Sequence, residues 1–248
     1  MRTYGLIGYP LGHSFSKKFF TEKFEKECLS CIYENFELPN LDLLPEVLNA
    51  NTELVGLNVT IPYKEKIIPF LNETDPSINE IGSVNTIRVS RKGDGSFHLK
   101  GFNTDVYGFG GSLKPLLKPH HQKALILGTG GASKAVAWTL KQLGIEYRFI
   151  SRRSTDCILG YNQLDKALIE EHTLIVNTTP LGTFPKTDAC PDIPYQFITP
   201  NHLLYDLVYN PEITLFLRKG LEQGATIKNG LEMLHLQALK SWEIWNDK

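Results

Sequence analysis

Residues Lys123 to Gly144, KALILGTGGASKAVAWTLKQLG, admit few folds. An apolar run ends at Gly128, Gly130 and Gly131 follow, and a segment with helix-forming composition begins at once. Strand, glycine turn and helix in that order form the opening of a βαβ unit, which implies a parallel sheet with helices packed on it. Glycines at such a turn permit close backbone approach to a pyrophosphate, and the first turn of the helix directs its N–H groups there. The candidate cofactor-binding residues of this turn are Gly128, Thr129, Gly130, Gly131 and Ala132. Ser133 stands where the third glycine of the G-x-G-x-x-G pattern falls.

The strand that follows ends EYRFISRRS. An NAD site usually carries an acidic residue here for the ribose 2′-hydroxyl; this chain offers Ser151, Arg152 and Arg153. The planar, permanently charged guanidinium suits a 2′-phosphate, so the expected cofactor is NADP(H). A further strand ends IVNTTPLGT, and strand carboxyl ends line the ligand crevice of open α/β sheets. Asn177, Thr178 and Thr179 are therefore placed along the nicotinamide-ribose side.

Upstream, strands and helices also alternate. Strands are predicted in TYGLIG, CIYENFEL, LVGLNVT, NTIRVS and FHLKG, and helices in SKKFFTEKFEKE, LDLLPEVLN and over 63–71. The turn RKGDGS between the last two strands reads as a hairpin. A second unit begins around residue 102 with a helix that Pro115 and Pro119 interrupt. After the glycine turn it adds a short helix in LDKALIE, a helix in ITLFLRKGLEQG, and strands in HLLYDLVY and ATIKNG. A final helix, GLEMLHLQALKSWEIW, closes the chain. The fold class is α/β in two domains, with mostly parallel sheets and right-handed crossovers.

The 248 residues are 42% hydrophobic and 21% charged with a net charge of −1, the balance of a globular protein without the basic footprint of a nucleic-acid binder. No apolar run approaches the ~18 residues of a membrane span. The N-terminus reads directly into a strand without a signal-peptide core, so the expected location is the cytoplasm. Cys28 and Cys31 form a lone C-x-x-C at a helix end, with no second ligand pair for a metal, and no metal site is expected.

The stretch LVGLNVTIPYKEKI bunches Asn58, Thr60 and Lys64 where Pro62 ends a strand. GHSFS, GSVNT and GFNTD place further polar groups beside other strands. Each has an ordinary explanation alone: Ser16, Thr104 or Asp105 as a helix cap, Lys64 as a surface lysine, Asn85 in a turn. Their accumulation at corresponding ends of strands in one sheet points instead to a site.

With these blocks in hand, the chain resembles the shikimate dehydrogenase family over almost its whole length. The motifs are GYPLGHSFS (8–16), LNVTIPYK (57–64), IGSVNT (81–86), GFNTDVYGF (101–109), LGTGGASKAV (127–136), NTTPLGT (177–183), YDLVYNPEITLFL (205–217) and NGLEMLHLQ (229–237). The resemblance implies a substrate-binding and catalytic domain over 1–101 completed by 230–248, and an NADP-binding Rossmann domain over 102–229. It implies that Ser14 and Ser16, assisted by Tyr209, hold the substrate carboxylate. Asn58, Thr60, Asn85, Asp105 and Gln237 would bond the ring hydroxyls, and Lys64 with Asp105 would form the catalytic pair. Gly230 joins the cofactor-binding residues. Two departures stand out: Lys17, Phe20 and Thr21 replace the family's proline and His-Asn pair, and Ser151-Arg152-Arg153 replaces Asn-Arg-Thr.

The implied reaction is reversible reduction of 3-dehydroshikimate to shikimate by NADPH. Reduction of a ketone needs a proton donor at its oxygen, and His13 is the sole histidine in the four polar blocks GHSFS, NVTIPYK, GSVNT and GFNTD, so Lys64 is the better candidate. A protonated lysine suits reduction; the reverse direction calls for a buried lysine or a relay through Asp105 or water, and both routes stay open. Rival readings are a quinate or broader-specificity dehydrogenase using NAD, a methylene-tetrahydrofolate dehydrogenase, and a non-catalytic metabolite sensor. The partners expected are the small-molecule substrate and cofactor, with no nucleic acid or membrane, in a monomer or homodimer.

Overall fold

The computed structural model describes residues 1–12, 15–93 and 95–247. It divides into two units: Met1–Thr104 with the chain from Ala238 onward, and Asp105–Gln237.

The first unit runs β1 (Arg2–Gly8), α1 (Phe15–Lys26), β2 (Cys31–Glu37), α2 (Leu44–Ala50), β3 (Leu54–Val59), β4 (Glu73–Thr74), α3 (Ile78–Ile81), β5 (Thr86–Arg91) and β6 (Phe97–Phe102). Its sheet has the order β2-β1-β3-β5-β6-β4. The helical crossovers give parallel pairing of β1 with β2 and β3, while β5 runs antiparallel to β3 and β6. The β5–β6 connection is the expected hairpin, closed by Lys92 N donating to Ser96 O at 2.8 Å with Gly95 at φ +83°. A positive φ there costs glycine nothing.

An aromatic core covers one face of this sheet. Phe20 stacks on Tyr33 with centroids 4.9 Å apart, and Tyr4 meets Trp245 at 5.0 Å. Gly56 lets Trp245 reach the sheet: a Cβ on Gly56 would lie 2.5 Å from the indole. The indole Nε1 donates to Ile87 O at 3.0 Å, so the buried ring keeps a polar partner.

One expected element is absent. Residues 63–71 form turns and a short 3₁₀ segment, Ile68–Phe70, instead of an α-helix beginning near Lys64. Three backbone bonds of the segment span three residues: Ile68 N to Glu65 O (3.3 Å), Phe70 N to Ile67 O (2.9 Å) and Leu71 N to Ile68 O (3.1 Å). Pro69 explains this, since it lacks an N–H and disfavours helical geometry at Ile68. Lys64 is placed by its neighbours: its carbonyl accepts from Val84 N at 2.7 Å, and the Tyr63 hydroxyl bonds Leu38 O.

The second unit runs α4 (Asp105–Leu113), β7 (Lys123–Leu127), α5 (Gly131–Gln142), β8 (Glu146–Ser151), β9 (Ile158–Gly160), α6 (Lys166–Glu171), β10 (Leu174–Asn177), β11 (Leu203–Asp206), α7 (Leu215–Glu222), β12 (Thr226–Lys228) and α8 (Leu231–Asn246). α8 gives its residues from Ala238 on to the first unit. All neighbours in the order β12-β11-β10-β7-β8-β9 pair parallel. This is the doubly wound order, with its reversal between β7 and β10. Helices cover both faces, so the central strands are apolar throughout: Ala124, Ile126 and Val176 face one core, Leu125, Leu127 and Ile175 the other. β9 is a three-residue edge strand with no periodic signal in the sequence. No described helix is long and apolar enough to cross a membrane.

Candidate active site

In the first unit, a buried polar network joins several of the expected residues. Asn58, on β3 and 5% exposed, accepts from the Tyr33 hydroxyl at 2.8 Å through Oδ1. Its Nδ2 donates to Ser241 Oγ at 3.0 Å, Thr86 Oγ1 at 3.3 Å and Asn85 O at 3.4 Å. Asn85 Oδ1 accepts from Thr104 N at 2.7 Å, and Asn85 Nδ2 donates to Thr104 Oγ1 at 3.1 Å. Ser241 Oγ lies 2.8 Å from Thr86 Oγ1 and 3.2 Å from Thr104 Oγ1. Burial pushes the Tyr33 hydroxyl well above its usual range, with a side-chain hydrogen bond from Ser16 opposing it. The chain of contacts thus runs Ser16–Tyr33–Asn58–Ser241–Thr104–Asn85 and joins α1, the strands β2 and β3, the C-terminal helix and the loops before β5 and α4.

Such a network is stable because each member has partners; buried groups left unsatisfied would destabilise it. It also sets orientation. Asn85 is anchored from both amide atoms by Thr104, while Asn103 Nδ2 holds Ser83 O and Oγ at 2.9 Å. Asn58 has little surface left for a ligand. Thr60 follows β3, with its N–H on Ile7 O at 2.9 Å and its carbonyl accepting from Tyr63 N at 2.9 Å; Lys64 comes one residue later in that turn. Ser14 lies outside the described residues.

In the second unit, Asp105 opens α4 and is buried, where the helix N-terminus favours its charge. Gln237 is buried on α8, and its Nε2 donates to Leu234 O at 2.9 Å. Tyr209 follows β11, and partial burial raises its hydroxyl above the usual tyrosine range. Gly230 donates to Val208 O at 3.2 Å, and a Cβ there would overlap the Leu207 carbonyl. The local packing alone therefore accounts for a glycine at this position.

The glycine turn has the geometry a dinucleotide needs. Gly128 sits at φ +109° with its N–H on Ile150 O at 2.8 Å, and a Cβ would come within 2.8 Å of Thr178 Oγ1. Gly130 precedes α5 without a side-chain cap, and nothing lies within 4 Å of where its Cβ would stand. Gly131 and Ala132 form the first turn, and Ser133 Oγ donates back to Gly130 O at 2.6 Å, taking the third-glycine position without obstructing it. Ser151 ends β8 and pairs with Gly160; Arg152 and Arg153 follow it, exposed. A glycine cradle, a helix start capped by backbone alone and two arginines fit a phosphorylated dinucleotide.

Thr178 donates to Leu127 O from both N (2.9 Å) and Oγ1 (2.7 Å). Asn177 is fully buried, so it stands behind the turn and not on its surface. Its amide binds Asp206 and Thr179. No group of acidic, histidine or cysteine side chains among the described residues could hold a metal.

Thr86 and Asp206 lie inside the motifs IGSVNT and YDLVYNPEITLFL without standing out as site residues, and Tyr33 and Ser241 belong to no motif. Ser241 did leave a signal: it falls on the stripe Ala238–Ser241–Trp245, a helical spacing otherwise apolar. A polar residue on a buried stripe needs a partner, and the network supplies three.

Comparison with known proteins agrees with both halves. Residues 6–87 match the family described as the shikimate dehydrogenase substrate binding domain. A relative from Desulforamulus reducens named shikimate dehydrogenase (NADP(+)) is 36% identical, the alignment covering 97% of this chain and 88% of the relative. A chorismate mutase/shikimate 5-dehydrogenase fusion protein from Clostridium acetobutylicum superposes with TM-score 0.87 at 36% identity, over 99% of this chain and 91% of that one. The Thermus thermophilus shikimate 5-dehydrogenase, solved with NADP(H) and shikimate, gives TM-score 0.85 at 30% identity over 100% and 94% of the two chains.

Proposed function

Because the chain belongs to the shikimate dehydrogenase family, we propose that it catalyses the reversible NADPH-dependent reduction of 3-dehydroshikimate to shikimate, a step toward the aromatic amino acids. The whole-chain similarity to the Desulforamulus relative carries this reading. The exposed Arg152 and Arg153 after β8 support NADP(H) over NAD(H).

The residues divide the work. Ser14, Ser16 and Tyr209 bind the substrate carboxylate, a task suited to neutral donors. Thr60, Asn85, Asp105 and Gln237 bond the ring hydroxyls, and Asn58 orients the Asn85–Thr86 segment from behind, since its own amide is engaged. Gly128, Thr129, Gly130, Gly131 and Ala132 receive the pyrophosphate; Thr178 and Thr179 bound the cofactor on the nicotinamide side, and Gly230 shapes the same rim. NADPH, when bound, supplies the hydride.

Lys64 delivers the proton to the carbonyl oxygen as negative charge develops there, and its own positive charge stabilises that oxygen. Asp105 holds a ring hydroxyl and orients the reacting carbon. The substrate-binding and catalytic domain comprises 1–101 with 230–248, and the cofactor domain 102–229. The protein works in the cytoplasm as a monomer or homodimer without nucleic acid; its four unpaired cysteines suit a reducing compartment.

The test is absorbance at the nicotinamide band with shikimate and NADP⁺, against quinate and NAD⁺ in the other combinations. Growth of the band with shikimate and NADP⁺ is expected. Faster turnover with quinate or NAD⁺ would replace this reading by the broader dehydrogenase, and no change in any combination would leave a binding protein.

A further inference from the structure

The Asp206 carboxylate takes no part in the chemistry above, yet it is fully buried at the carboxyl end of β11. Both oxygens are used. Oδ2 accepts from Thr214 Oγ1 at 2.5 Å, and Oδ1 accepts from Asn177 Nδ2 at 2.9 Å and Val208 N at 3.0 Å. Asn177 passes the contact on: its Oδ1 accepts from Thr179 N at 3.0 Å and Thr179 Oγ1 at 2.7 Å. Thr178 and Thr179 in turn back the glycine turn, within 2.8 Å and 3.1 Å of where a Gly128 Cβ would stand. Leu127, Asn177 and Asp206 are register partners across β7, β10 and β11, so this line crosses the strand ends that border the ligand crevice.

We propose that Asp206 is a positioning residue for the dinucleotide turn, acting through the amide of Asn177 on Thr178 and Thr179. The proposal rests on placing NADP(H) at the Gly128–Ala132 turn. Its physical basis is donor–acceptor matching. An asparagine amide has two orientations of nearly equal shape, and only its partners choose between them. An acceptor at Asp206 holds Nδ2 toward itself, which leaves Oδ1 facing the Thr179 N–H. The flipped amide would set two donors against each other at Thr179 and two acceptors against each other at Asp206. Burial of a carboxylate is costly, and it pushes Asp206 up to about 6, with the bonds from Thr214, Val208 and Asn177 opposing the shift. Protonation on Oδ2 leaves Oδ1 to accept from Asn177, so the amide keeps its orientation in both charge states.

The experiment measures dissociation constants for NADPH and, separately, for shikimate in the parent protein and four variants. Asp206→Ala removes the acceptor and should weaken NADPH by about tenfold or more while leaving shikimate affinity unchanged. Asp206→Asn offers its Oδ1 to Asn177 and its Nδ2 to Thr214, and should restore NADPH affinity to within about threefold of the parent. Asn177→Ala cuts the link but leaves Asp206 its bonds from Thr214 and Val208, so it should match the loss in Asp206→Ala. Gly130→Ala, whose methyl meets no protein atom, tests the cofactor placement itself by obstructing the pyrophosphate. Loss of NADPH binding in Gly130→Ala but not in Asp206→Ala or Asn177→Ala overturns the role of Asp206 alone. Equal losses in Asp206→Asn and Asp206→Ala also overturn it. Unchanged binding in Gly130→Ala removes the cofactor placement, and the inference with it. Asn177→Ala decides the matter even if Asp206→Ala does not fold.

Discussion

Replacing Asp206 with asparagine should change how stability depends on pH, with a sign and size set by the burial of the carboxyl group. The folded protein holds the Asp206 proton up to about pH 6, while the unfolded chain releases it near 3.8. Between those values the native state binds more protons than the unfolded one, so this group's contribution to stability falls as pH rises. Its stabilisation is fully present below the unfolded value and is gone once pH has passed through the folded one. About two pKa units at ~1.36 kcal/mol each make ~3 kcal/mol in all. Over the accessible range from about pH 4.5 to 7.5, the part that remains is ~2 kcal/mol.

Asp206→Asn keeps the shape and hydrogen bonds of the site and removes the titration. The variant's stability minus that of the parent should therefore rise by ~2 kcal/mol between about pH 4.5 and 7.5, most of it below about pH 6, and level off beyond. Urea unfolding of both proteins with Trp242 and Trp245 replaced by Phe leaves Trp138 on α5 as the reporter of the relevant unit, and other titrating groups cancel in the difference. A difference that is flat across this range refutes the desolvated carboxylate. One that shrinks with rising pH reverses the argument, because the three hydrogen-bond donors would then outweigh burial.

Other substitutions address the remaining parts of the site. Arg152→Ala should raise the KM for NADPH far more than that for NADH in steady-state assays, and equal changes would remove the 2′-phosphate assignment. Ser241→Ala leaves Asn58 Nδ2 and the Thr86 and Thr104 hydroxyls short of a partner; a cost of about 1–3 kcal/mol in thermal or urea melts should accompany a raised KM for shikimate, with NADPH affinity unaltered. Gly230→Ala should destabilise by about 1–3 kcal/mol even without cofactor, because the added methyl overlaps the Leu207 carbonyl. An unaltered melting temperature would mean that the β11–α8 junction gives way more easily than its packing implies.

The two halves of the chain were not equally legible. The strand–Gly128–helix segment announced the second unit because its glycines, its apolar strand and its helix all call for the same geometry, and the doubly wound order followed. The edge strand β9 escaped notice because three residues carry no periodicity. The helix expected over 63–71 failed because composition favoured it while Pro69 and the buried anchors Tyr63 and Ile67 favoured turns. At the site, Asn58 and Asn85 were visible as polar residues at strand ends. Tyr33 looks ordinary in its own segment, Asp206 lies in a motif that does not declare its role, and Ser241 shows only as a polar residue on an apolar stripe. They acquire a role from partners 25 to 183 positions away in the case of Asn58, and 29 away in the case of Asp206 and Asn177. Hydrogen-bond complementarity across such distances has no local signature.

The central claim is that Lys64 donates the proton in an NADP-dependent shikimate dehydrogenase. Its most direct test is the turnover of Lys64→Ala with shikimate and NADP⁺, alongside its NADPH affinity and its melting temperature. Turnover should fall by about 10²–10⁴-fold while cofactor binding and melting stay at parental values. A folded Lys64→Ala protein that oxidises shikimate at the parental rate would contradict the account.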